Sequence, residues 1–144
     1  MNLADCIAFA TEHPVCYLAT SEGDQPRVRP VLLFFANVQG LYFVLLSPKD
    51  VCKQLQKNPK VEVCFYNYAA DLSAAQSMRI TGKMEIVHDA ELTKRALKER
   101  GFLEAIIGRP LEPLIQVCRI HTGVGFLWTM ADVLKEHELE RVMF

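Results

Sequence analysis

The sequence predicts a mainly β, α+β fold: a six- or seven-stranded, mostly antiparallel barrel with a few peripheral helices. Three observations carry this expectation. Short apolar and β-branched runs of strand length recur from "VCYLAT" to "GVGFLWT". Turn compositions such as "SEGDQP" and "NVQG" join neighbouring runs at hairpin spacing. Helical patterns are inserted singly between the strands, so the chain is β-rich with helices at its margins.

At the N-terminus, Leu3, Ile7 and Ala10, with Cys6 beside them, form an apolar stripe at helical spacing behind a candidate N-cap, Asn2. Pro14 disfavours a helical residue before it, so this helix should stop at His13. "VCYLAT" is the first strand, "RVRPVLLFFA" the second and "LYFVLL" the third. "SPKDVCKQLQKNP" switches to helical period: Ser47 suits an N-cap, Pro48 the first helical position and Asp50 a capping box. "KVEVCFYN" alternates as a strand, and "YAADLSAAQS" is a long loop. "MRITGKMEIVH" is a strand with Gly82 at a bulge or a close backbone approach. Asp89 can cap the charged helix "AELTKRALKERG", and "FLEAII" adds a short one. "PLIQVCRIH" and "GVGFLWT" are expected as two strands joined at Thr122-Gly123. The tail is expected to be helical through Leu139, with a terminal strand from Val142 to Phe144.

The 144 residues are expected to form a single domain spanning 1–144. A net charge of −1, from 16 Lys+Arg against 17 Asp+Glu, argues against a general nucleic-acid binder, which needs a basic excess to neutralise phosphates. Five widely spaced cysteines without a Cys-x-x-Cys pair suit reduced thiols. The longest apolar run, Pro30 to Ala36, has strand length, far below the ~20 residues of a membrane helix. These features lead us to expect a cytoplasmic protein with no membrane or nucleic-acid partner.

Two elements suggest an anion site. In "QPRVRPVLLFF" strand alternation puts Arg27, Arg29, Val31, Leu33 and Phe35 on one face and Val28, Pro30, Leu32 and Phe34 on the other. Two like charges on one face repel unless something anionic lies across them. In "LSPKDV" a strand runs directly into a helix start carrying Ser47 and Lys49, where free N–H groups and the dipole favour an anion. The plainer alternatives are ion pairs of the arginines with Glu22 or Asp24 across the turn, and a solvated surface lysine. Arg79, at a strand start beside the long loop, is either a surface ion-pair residue or a third anion contact. Trp128 is either core or a stacking wall. No metal-ligand spacing, Walker loop or nucleophile elbow is present, so no catalytic residue is named and no metal is expected.

"PVCYLATSEGDQPRVRPV", "LYFVLLSPKDVCKQLQKNPKVEVCFY" and "MRITGKMEI" together resemble the pyridoxamine 5'-phosphate oxidase-like proteins, a group of FMN-binding split β-barrels. The resemblance runs from about Pro14 to Val87. It implies a homodimer holding FMN in two interface sites, and an oxidoreductase acting on an unidentified small substrate or electron donor. It further implies that Arg27, Val28, Arg29, Pro30 and Val31 line the flavin, that Ser47 and Lys49 bind its phosphate, and that Arg79 approaches from the partner subunit. Relatives often carry Thr or Ser where this chain has Leu45 and Leu46, and Trp where it has Ser77-Met78. Two alternatives stay open: a non-catalytic flavin, haem or deazaflavin binding module, and a structural dimer that has lost its cofactor.

Overall fold

A computed structural model describes residues 1–144 as seven strands and four short α-helices. Helix α1 (Leu3–Glu12) leads into β1 (Val15–Glu22), β2 (Gln25–Asn37) and β3 (Gly40–Leu46). Then come α2 (Asp50–Lys57), β4 (Lys60–Tyr66), β5 (Gln76–Ile86), α3 (Ala90–Arg100) and α4 (Leu103–Ile107). The chain ends with β6 (Ile115–Thr129) and the two-residue β7 (Val142–Met143). The strand order is β3-β2-β1-β4-β5-β6-β7, all antiparallel, and a β3–β6 ladder closes the first six strands into a barrel. β7 extends the edge of β6. This is the predicted mainly β barrel with peripheral helices. No helix is long and apolar enough to cross a membrane.

The barrel closes because alternate residues on each strand are apolar and face inward. Leu18, Phe43, Phe65, Met78 and Ile80 are all 0% exposed in its centre. Burying a side chain of this size contributes about 1.5–3 kcal/mol. Helix α1 starts from a capping box, Asn2 accepting from the Asp5 N–H and Asp5 from the Asn2 N–H. It packs against β2 and adds Cys6 and Ala10 to the core, while α2 adds Val51 and Cys52. All five cysteines are free thiols. Burial pushes the Cys16 and Cys118 thiols up to about 12, keeping them protonated and unreactive.

Four local expectations are corrected. Ser47 does not cap α2: the Ser47 N–H donates to Leu114 O, and a turn from Leu46 to Lys49 delays the helix so that Lys49 is the N-cap. Phe35 does not share a face with Leu33. A bulge in β2 between Leu33 and Phe35 sends both phenylalanines outward, where Phe34 and Phe35 pack beneath α3 with Tyr42 and Val117. The two late strands are one continuous strand, β6, because the glycines at the expected turn let two backbones close up instead. Gly123 pairs with Gly82 of β5, and the register shifts just beyond, where His121 and Thr122 oppose Lys83. The tail is not helical through Leu139: it holds short 3₁₀ turns at Met130–Asp132 and Glu136–Glu138.

The glycine pairing allows a direct test. A Cβ on Gly123 would lie 2.5 Å from the Thr81 carbonyl oxygen, a backbone atom with no rotamer to yield. Gly123→Ala is therefore expected to cost about 1–3 kcal/mol, read as a fall of several degrees in the melting temperature. An unchanged melting temperature would rule out the close approach.

Candidate functional site

Inner-face alternation on β2 ends in charge. Arg29 pairs with Leu18 and Arg27 with Thr20, both inward-facing on β1, so the two arginines rise at the barrel end that α2 covers. Beside them opens a cleft of about 760 Å³, lined by Glu22, Arg27, Val28, Arg29, Pro48, Lys49, Asp50, Val51 and Gln54. The two arginines have different partners. Arg27 reaches Glu22 at 3.3 Å, the carboxylate across the turn. Arg29 has no carboxylate partner: it donates to Thr20 Oγ1 at 2.7 Å, Leu18 O at 3.2 Å and Gln54 Oε1 at 2.6 Å. Burial, and next the charge of Arg27, make its protonated form less favourable than usual, with Asp50 opposing. Glu22 is held below the usual carboxylate range, first by the Gln54 amide and then by Arg27.

Lys49 also lacks an ion pair, since Asp50 is taken by Lys53 at 3.6 Å. It stands at the N-cap of α2, whose first N–H groups, those of Asp50 and Val51, have no acceptor within the helix. The cleft therefore gathers two uncompensated cations and a helix N-terminus.

Lys49 is also the boundary of a second cavity. A groove of about 270 Å³ lies between the outer wall of β2 and β3 and the end of α3, lined by Pro30, Val31, Leu32, Val44, Leu45, Leu46, Lys49, Arg100 and Leu103. The β2–β3 ladder covers only Leu33–Asn37 of β2, so residues 27–32 show an unpaired backbone edge on the β3 side. The barrel wall is split there. A cationic polar cleft and an apolar groove with free backbone donors thus adjoin at one lysine.

The remaining candidates lie elsewhere. Ser47 opens into a separate depression with His88 and Thr93. Arg79 is on the outer wall of β5, with β1 and β4 between it and β2, and pairs with Glu62 at 3.4 Å and with Glu136. Its guanidinium also lies over the Phe126 ring, 4.7 Å from the centroid. Trp128, half-buried, lies opposite Ser77 on β5 and lines neither cavity. Thr20, Gln54, Arg100 and Leu103 escaped the reading from sequence. For Gln54 a signal existed: it sits between Val51 and Leu55 on the buried stripe of α2, where a polar side chain must find partners. Arg100 gave none, because only the packing of α3 brings it beside β2.

A model of the pyridoxamine 5'-phosphate oxidase family matches residues 4–121, which include all of the cleft and the groove. A NimC/NimA family protein from Clostridium acetobutylicum is 29% identical, covering 99% of this chain and 92% of its own, with a TM-score of 0.76. The heme storage protein HutZ from Vibrio cholerae is 23% identical over 90% of this chain and 95% of its own, with a TM-score of 0.62. A FAD-binding protein from Mesorhizobium loti is 19% identical over 87% of this chain and 94% of its own, also with a TM-score of 0.62. The last two show likeness of fold. No curated protein matches the chain. With the family match spanning most of the chain and the split wall beside the cationic cleft, the chain belongs to the pyridoxamine 5'-phosphate oxidase family.

Proposed function

We propose that this protein binds FMN as a homodimer and acts as an FMN-dependent oxidoreductase on a small substrate. The observation that carries the reading is the junction at Lys49 of a polar cationic cleft with an apolar groove. FMN has the matching chemistry: a dianionic phosphate on a flexible arm and a flat, largely apolar ring with polar atoms along one edge. Lys49, Arg29 and the first N–H groups of α2 would hold the phosphate. Pro30, Leu32, Val44 and Leu46 would flank the ring, with the unpaired edge of β2 offering hydrogen bonds to its polar atoms. Bound FMN supplies the electron transfer, so the chain needs no nucleophile of its own.

An exposed apolar face supports the homodimer. Val15, Tyr17, Val28 and Leu32 stand outward on adjacent strands β1 and β2 and are 39–68% exposed. Tyr68, which donates its hydroxyl to that of Tyr17, extends the face. A monomer gains nothing from such a patch, whereas a second copy would cover it. Arg79 faces this side of the wall and would reach a flavin only across that interface. The FAD-binding relative agrees in ligand class; the cytoplasmic location stays part of the proposal.

The test is titration of the purified protein with FMN and riboflavin, combined with equilibrium sedimentation. Expected are a dimer, one FMN per chain, and FMN bound at least about tenfold more tightly than riboflavin, as one charge-assisted phosphate contact supplies. A haem Soret band in place of flavin maxima, or equal affinity for both flavins, would overturn the FMN assignment. A monomer at saturating FMN would overturn the interface. Turnover of a reduced nicotinamide separates an enzyme from a flavin carrier.

A further inference from the structure

Arg29 uses one edge of its guanidinium inside the protein. Both N–H groups of Nη1 go to Leu18 O and Thr20 Oγ1, and one of Nη2 goes to Gln54 Oε1. The Thr20 hydroxyl donates in turn to Gln54 Oε1 at 2.6 Å. The two oxygens therefore grip the end of the guanidinium as a carboxylate would, without a charge. Nε and the other hydrogen of Nη2 have no partner in the chain. They form the parallel fork that suits a phosphate or carboxylate.

Gln54 is only 5% exposed, and its amide cannot flip. Nε2 donates to Glu22 Oε2 at 3.0 Å, and Oε1 accepts from two donors. A flip would set the amide N–H groups against Arg29 and its oxygen against a carboxylate. A glutamate of the same shape would keep the two contacts that Oε1 accepts, but it would set a negative charge against Arg29 and a second carboxylate 3.0 Å from Glu22 Oε2.

We propose that Gln54 is a positioning residue that aims the free edge of Arg29 at the ligand's phosphate while leaving the arginine's charge uncancelled. The assignment rests on the phosphate reading above. It gives the neutral amide two tasks: Nε2 donates to the Glu22 carboxylate, and Oε1 holds Arg29 without a charge.

The experiment is a double-mutant cycle read with FMN and riboflavin. Gln54→Glu should weaken FMN by about ten- to a hundredfold and riboflavin by less than about twofold, as expected when one charge-assisted contact is lost. In an Arg29→Met background the neutral change Gln54→Leu, which adds no charge of its own to the cleft, should cost FMN nothing further. An unchanged FMN affinity in Gln54→Glu, or an equal loss from Gln54→Leu with and without Arg29, would overturn the positioning role. So would equal losses for both flavins, which mean a displaced helix. If repulsion from Glu22 prevents Gln54→Glu from folding, Gln54→Leu takes its place with the same expected loss of FMN preference. Wild-type protein that binds the two flavins equally would overturn the phosphate reading itself, and this assignment with it. Loss of preference confined to the variants tells the two failures apart.

Discussion

Lys49→Ala is expected to weaken FMN binding by about ten- to a hundredfold while changing riboflavin affinity by less than about twofold. The lysine has no carboxylate partner and stands at the mouth of both cavities. Its removal therefore takes a cation from the phosphate end without leaving a buried charge behind. Only FMN carries the group it would meet, so riboflavin is the internal control for damage to the fold. The effect should shrink as salt rises, because Lys49 is exposed and its interaction is screened. Isothermal titration of both flavins at two salt concentrations checks this. Equal losses for FMN and riboflavin would remove Lys49 from the phosphate site. Arg29→Met should lower FMN affinity as well, but it also leaves Thr20 Oγ1 without its donor and Gln54 Oε1 with only the Thr20 hydroxyl. That variant reads binding and packing together, which makes Lys49 the cleaner probe.

Phe65→Ala is expected to be the most damaging single truncation of the barrel wall, costing about 3–5 kcal/mol. Phe65 is 0% exposed on β4, between Cys16 of β1 and Met78 of β5, both themselves 0% exposed. Neighbours fixed in two ladders cannot collapse into the space, so the cavity term adds to the lost transfer energy. Urea unfolding should show a lower midpoint with an unchanged slope, measured at one protein concentration because dimerisation would contribute to stability. A loss below about 1.5 kcal/mol would mean that the barrel centre repacks freely.

Much of this architecture was legible from local chemistry. The alternation in "KVEVCFYN", the capping residues Asn2 and Asp89, and the hairpin at "NVQG" each depend on neighbours within a few residues. Where a reading failed, a distant partner decided. Ser47 reads as an N-cap, yet its N–H is claimed by Leu114, far along the chain. Thr122-Gly123 reads as a turn, yet Gly82 offers a matching gap in the neighbouring strand, and the two glycines close into one ladder.

The paired arginines follow the same division. Their shared face follows from strand period alone, and so does the question of what neutralises them. The sequence by itself determined a β-rich chain, the shared face of Arg27 and Arg29, and a lysine close to the start of α2. Only the tertiary structure decided that Glu22 satisfies Arg27 while Thr20 and Gln54 hold Arg29 without cancelling its charge. It alone decided that β2 outruns β3, opening a groove against Lys49 and Arg100. The reason is physical. Period and propensity act over a few residues, whereas charge compensation and cavity shape depend on which strands and helices close around them.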